Sequence, residues 1–228
     1  MVCLAFSENI RALVAGIRID DRCGQWLRPV GTGATGELYP AQYRLPDLSN
    51  PALWDILDIP LRSAAPHKAY HPEDRLVAAA PWRLVERPAA PDEAVLQTLE
   101  SVRVCEPQLF GCTAKRVLSS AVTLRKSASS PALVRPGAVR FQVAAGTPRH
   151  GEPPRLGFRV WFFIGGAIYE LPLNAPVSKK RLRTFNIGSY SPVEVGIAPG
   201  VMPYLVRSLG EPHTDGYCYK LVTTVLTM

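Results

Sequence analysis

Lys179-Lys180-Arg181-Leu182-Arg183 is the densest basic run in the chain, and no carboxylate interrupts it. Phe185, Asn186 and Tyr190 follow closely. Cations pair with phosphates and aromatic rings stack on bases. A flexible basic loop with nearby aromatics therefore suits a single-stranded nucleic-acid groove. A solvated loop above an ordinary core strand has the same composition. Just upstream, Arg159, Trp161 and Phe163 alternate, and residues two apart on a strand share a face. Lys115-Arg116 and Arg125-Lys126 sit at the two ends of one expected strand and extend the same basic face.

A second aromatic–arginine pair lies near the start, in Trp26-Leu27-Arg28-Pro29-Val30. Trp26 and Arg28 on one barrel face form a stacking and phosphate-pairing platform. The competing reading has Arg28 paired with a carboxylate such as Glu37 or Asp58 to fix a hairpin.

Reactive constellations are sparse. His67 and His71 are four apart, followed by Glu73 and Asp74, which is metal-ligand spacing. Pro72 disfavours a continuous helix there, so a structural loop is the expectation and no metal is assigned. His150 and His213 have no evident partners. The sequence has no GxSxG, P-loop, HExxH or GxGxxG after a strand. Cys105 and Cys112 have no histidine nearby in sequence. No catalytic residue and no cofactor is assigned, and the expectation is a non-enzyme.

These residues must be positioned by a fold built from 228 residues, 47% of them hydrophobic. That is enough for one large domain or two small ones. The 22 prolines and 17 glycines favour short strands joined by turns over long helices. No apolar window is long enough for a transmembrane helix. The N-terminus lacks a basic start and a cleavage pattern, so it reads as a strand and not a secretory signal. Five scattered cysteines without a CxxC pair argue against a disulfide framework and a zinc ribbon, and a reducing cytoplasm is expected.

The net charge of +7 is unevenly spread. Residues 1–114 carry 11 Lys+Arg against 14 Asp+Glu, or −3, and residues 115–228 carry 15 against 5, or +10. The step suggests two units with different tasks: an acidic 1–114 and a basic 115–228. The second attracts polyanions over a Debye length of about 10 Å.

Strands are expected at Val2–Phe6, Leu13–Ile19, Gln25–Val30, Trp54–Leu61 and Arg75–Val85. A long loop is expected over Gly31–Asn50 and another polar connection over His67–Asp74. Asp92–Val104 reads as a helix, with Val95, Leu96, Leu99 and Val102 at helical spacing. The second half gives strands at Arg116–Lys126, Ala138–Ala144, Gly157–Ile164, Ala167–Leu173, Pro203–Leu209 and Tyr217–Leu226. Gly165-Gly166 is a strong hairpin signal, and Thr147–Pro154 reads as a loop. The pattern is mainly β: two tandem OB-like small barrels with one connecting helix.

Leu13-Val14-Ala15-Gly16-Ile17, Gly24–Val30 and Gly36-Glu37-Leu38 resemble the opening of the dual OB-domain proteins of bacteria. Leu57–Leu61 with His71-Pro72-Glu73-Asp74 resembles their second block. Val206–Pro212 and Tyr219-Lys220-Leu221-Val222 resemble their closing motif. The resemblance implies two OB-type barrels that bind nucleic acid in bacterial conflict systems. Two departures stand out: His71 replaces an expected glutamine, and Leu173-Asn174-Ala175-Pro176 stands where an aspartate is expected before the proline.

The leading expectation is a non-catalytic binder of RNA or single-stranded DNA. Its candidate contacts are Lys179, Lys180, Arg181, Arg183, Arg159, Trp161, Lys115, Arg116, Trp26 and Arg28. Two alternatives stay open: a protein-interaction module whose basic face meets an acidic partner protein, and a metal-dependent nuclease using Asp55, Asp58 and Glu73. The sequence does not fix the oligomeric state.

Overall fold

A computed structural model describes the chain except for residues 9–11, 21–22, 34–35, 63–67, 69, 125–128 and 147–154. His67, Arg125-Lys126 and the Thr147–Pro154 loop with His150 therefore lie outside the described residues. The chain divides into two compact units: Met1–Arg103 with Thr123–Pro131, and Val104–Val122 with Ala132–Met228. The sequence boundary of Ala114/Lys115 thus differs from the structural one: residues 104–114 already belong to the second unit, and Thr123–Pro131 returns to the first.

The first unit holds six strands: β1 (Val2–Glu8), β2 (Ala12–Ile17), β3 (Trp26–Val30), β4 (Ile56–Asp58), β5 (Asp74–Leu76) and β6 (Arg83–Glu86). They form one sheet in the order β5-β3-β2-β1-β4-β6. The expected β2–β3 hairpin forms, antiparallel, with Gly16 opposite Leu27. β3 also pairs with β5, in parallel, placing Arg28 opposite Asp74. The core gathers Val14, Leu38, Tyr43, Leu57 and Trp82.

Two helices belong to this unit. The expected loop over Gly31–Asn50 contains α1 (Pro40–Tyr43), a single turn that starts on a proline and buries Tyr43. Leu38, Tyr43 and Leu45 are fully buried, so this segment packs as core despite its turn-rich composition. Proline at the first helical position accounts for the turn, since its missing N–H costs nothing there. α2 (Glu93–Ser101) is the helix read from the sequence. The Asp92 carboxylate caps it by accepting from Val95 N–H at 2.8 Å, and Val95 and Leu99 face inward.

The second unit holds β7 (Arg116–Leu118), α3 (Ser119–Leu124), β8 (Ala132–Val134), β9 (Ala138–Ala145), β10 (Leu156–Ile164), β11 (Ala167–Pro172), α4 (Pro176–Leu182), β12 (Gly188–Tyr190), β13 (Tyr204–Pro212) and β14 (Tyr217–Leu226). α3 crosses the unit boundary. The strands make two four-stranded sheets, β11-β10-β9-β12 and β7-β14-β13-β8. Alternation sets the inner face of the first: Val139, Phe141 and Val143 on β9, and Phe158, Val160, Phe162 and Ile164 on β10. These join Leu205 and Val222 of the second sheet in one core. Gly165 and Gly166 both take positive φ, at 54° and 88°, which is the backbone that a two-residue hairpin needs.

Two expectations are corrected here. The strand expected over Arg116–Lys126 stops at Leu118 and continues as α3. β7 pairs with the first residues of β14, Tyr217 to Tyr219, and beyond Leu118 that partner strand ends in its own turn. Ser119 N–H closes on the Gly216 carbonyl at 3.0 Å, and the chain leaves the sheet. The basic loop over Lys179–Arg183 is a helix, α4. Pro176 starts it, Leu182 anchors it in the core, and Lys179, Lys180 and Arg181 occupy its last turn. Cations are favoured there by the partial negative charge of the helix end. Among the described residues there are thus four helices where the sequence reading had one. None is long and apolar enough to cross a membrane.

Candidate nucleic-acid interface

In the second unit, the ends of β10, β11 and β14 meet beside α4. Leu173 bridges to Val222, Leu173 N–H donates to the Phe158 carbonyl at 2.9 Å, and Asn174 N–H donates to the Val222 carbonyl at 2.6 Å. These bonds tie the two sheets together below a groove of about 750 Å³. Its polar lining comprises Arg155, Asn174, Lys179, Arg183, Tyr219 and Lys220, and among the described residues no carboxylate lines it. Lys179 Nζ donates to Asn174 Oδ1 at 3.2 Å, which fixes the helix end against the groove edge. By contrast, one pocket within the first unit is about 20 Å³, and Glu86 and Asp92 line it. A cationic trough with one tyrosine suits a polyanion, and the acidic pocket does not.

The sequence candidates separate into distinct settings. Lys179 and Arg183 reach the groove. Lys180 is exposed on α4. Arg181 points elsewhere, onto Gly196, where a Cβ would lie within 1.9 Å of its guanidinium. The missing Cβ at Gly196 leaves room for the arginine.

Arg159 and Lys115 share one counterion. Glu170 accepts from Lys115 at 2.7 Å and from Arg159 at 3.2 Å. Lys115 foremost, with Arg159, holds that carboxyl below the usual carboxylate range. Trp161 lies half-buried on the outer face of the same sheet, paired in register with Glu170 on β11 and Arg140 on β9. Arg116 lies 4.1 Å from the Tyr217 ring centre and pairs with Asp215 at 3.1 Å. These three cations therefore already hold protein partners.

In the first unit, Trp26 is half-buried. Arg28 grips Asp74, whose side chain is fully buried, through two hydrogen bonds. A carboxylate partner of the kind weighed for Arg28 thus exists in Asp74, which the sequence reading did not name. His71 Nδ1 lies 3.3 Å from Glu73 Oε1, both side chains buried, and Ser130 N–H donates to Glu73 Oε2 at 3.0 Å. The three carboxylates of the nuclease reading hold separate partners: Asp55 pairs with Arg87, Asp58 with Arg83 and Glu73 with His71. Among the described residues, no group of three or more His, Cys, Asp or Glu side chains could hold a metal ion.

Sequence reasoning missed Arg155, Asn174, Tyr219 and Lys220 as site residues. For Lys220 a signal existed: Cys218, Lys220, Val222 and Thr224 share one strand face, which places a lysine among inward residues.

The family model of the dual OB-containing domain matches residues 1–225. The chain belongs to that family. The dual OB assignment agrees with the mainly β architecture and with two separate β units. Within it, the closing segment Tyr219–Val222 and the segment Leu173–Pro176 both border the groove. Searches of curated proteins and of solved structures return no match to the chain.

Proposed function

We propose that this dual OB protein is a non-catalytic binder of nucleic acid, RNA or single-stranded DNA, through the groove of its second unit. The carrying observation is the groove itself: Arg155, Lys179, Arg183 and Lys220 with Tyr219, and no carboxylate among the described residues. Aromatic rings stack on any base and cations follow the backbone, so this lining favours single strands without a fixed sequence. OB barrels often serve such ligands. The setting implied by the family resemblance is a bacterial conflict system. All five thiols are free, which supports a reducing compartment such as the cytoplasm.

The test is fluorescence anisotropy with labelled eight-nucleotide RNA and DNA at low salt. Binding by the native chain and its loss in a Lys179→Glu/Arg183→Glu double variant are expected. Equal binding by the two, or none by either, refutes the proposal. A stoichiometric acidic protein that co-purifies in place of nucleic acid would instead favour the interaction-module reading.

A further inference from the structure

Two cations point into the interior of the second unit. Arg207 on β13 and Lys220 on β14 are 4% and 0% exposed. Arg207 stands opposite Val222 and Lys220 opposite Leu209, so the two are diagonal neighbours on the inner face. Among the described residues, Arg207 Nε and Nη1 have no hydrogen-bond partner. Lys220 Nζ donates to the Cys112 carbonyl at 2.6 Å and lies 3.5 Å from Cys112 Sγ. Among the described residues, the groups acting electrostatically on the pair are Tyr169, Cys112 and the cations themselves, with no carboxylate. A buried charge is normally paired, and two neighbouring ones of like sign are costlier still.

One face of the guanidinium is covered by Phe110, whose ring centre lies 3.9 Å away. Phe110 holds φ at 56°, the left-handed region that a bulky side chain avoids, and Gly111 follows at 73°. Tyr169 clamps the same segment: its hydroxyl donates to the Pro107 carbonyl and accepts from Leu109 N–H at 3.1 Å. A strained aromatic cover therefore sits over an unsatisfied guanidinium fork. Lys220 also borders the groove, which gives a route to solvent on its side.

We propose that Arg207 and Lys220, beneath Phe110, form a binding site for a phosphoryl oxyanion. A guanidinium fork matches two phosphoryl oxygens and a lysine supplies a point charge to a third. Burial pushes Arg207 down to about 9 and Lys220 below its ordinary value, and an anion between them would relieve both. The site stands independently of the nucleic-acid reading, since inorganic phosphate alone should fill it. A 5′-phosphate at the end of a strand in the groove has the same chemistry.

The test is thermal unfolding of the full chain with inorganic phosphate against chloride at matched ionic strength. A rise of about 3–6 °C at ten times the dissociation constant is expected for the native chain. Lys179→Glu/Arg183→Glu should keep that rise, Arg207→Met and Lys220→Met should each lose it, and Phe110→Ala should reach it at lower phosphate. Several-fold tighter binding of a 5′-phosphorylated oligonucleotide than of its 5′-hydroxyl twin, lost in Arg207→Met, identifies the strand end as the source. Equal binding of the two, with the phosphate rise intact, identifies free phosphate. The proposal is overturned by no phosphate-specific rise in the native chain and Phe110→Ala, or by an undiminished rise in Arg207→Met or Lys220→Met. If one methionine variant fails to fold, the other carries the test.

Discussion

Arg28 and Asp74 face each other in register across the parallel β3–β5 pair, and the guanidinium holds the buried carboxylate at 2.5 and 2.8 Å. The bond joins residues 46 apart in sequence, across a long-range strand pairing. Removing the arginine would leave a buried charge short of its principal cation, a change that typically costs about 3–5 kcal/mol. Arg28→Met should lower the stability of the first unit by roughly that amount in urea unfolding and leave oligonucleotide affinity unchanged. Lost affinity with unchanged stability would make Arg28 a ligand contact and not a strut.

Asn174 occupies the groove edge beside α4. The neutral amide accepts from Lys179 and leaves its charge available to a phosphate. Asn174→Asp should pair that lysine internally and place a negative charge in the trough. A loss of about threefold in oligonucleotide affinity is expected, in keeping with an exposed ion pair of roughly 0.7 kcal/mol. Competition anisotropy with the native chain checks it, and an unchanged or tighter dissociation constant would contradict it.

The His71–Glu73 pair makes stability depend on acid. Burial pushes the Glu73 carboxyl up, but the His71 hydrogen bond and charge, Arg28 and Ser130 N–H outweigh it. The group is therefore held below its ordinary 4.5 in the folded chain. A depressed carboxyl contributes stability that is full above pH 4.5 and lost as pH falls through the folded value. Chemical denaturation of the native chain should therefore weaken more steeply below pH 4.5 than that of Glu73→Gln. Parallel slopes would show that Glu73 titrates alike in both states.

The strands that alternate cleanly were legible in sequence. Phe158, Val160, Phe162 and Ile164 face inward on β10 as their period-two spacing requires, and Gly165-Gly166 marked the following turn. Pairing between distant segments was not legible. Nothing local reveals that β5 joins β3 in parallel, so Asp74 was not among the carboxylates named for Arg28. The groove was hidden for the same reason, because its walls come from Arg155–Phe158, Pro172–Asn174, α4 and Tyr219–Leu221. Two misreadings had signals against them. Lysine, arginine and leucine after a proline favour a helix over a loop at Lys179–Arg183. Arg207 and Lys220 fall on inward positions of strands, where a cation needs a reason.

The salt dependence of oligonucleotide binding tests the central claim most directly. Among the described residues, Arg155, Lys179 and Arg183 are the groove cations other than the buried Lys220. Three phosphate contacts on a single strand predict a slope of about −2 for the logarithm of the binding constant against the logarithm of salt concentration. The native chain should give that slope, and Lys179→Glu/Arg183→Glu should bind at least about tenfold more weakly with a clearly shallower one. A flat salt response, or the same slope and affinity in both proteins, would contradict binding through this groove.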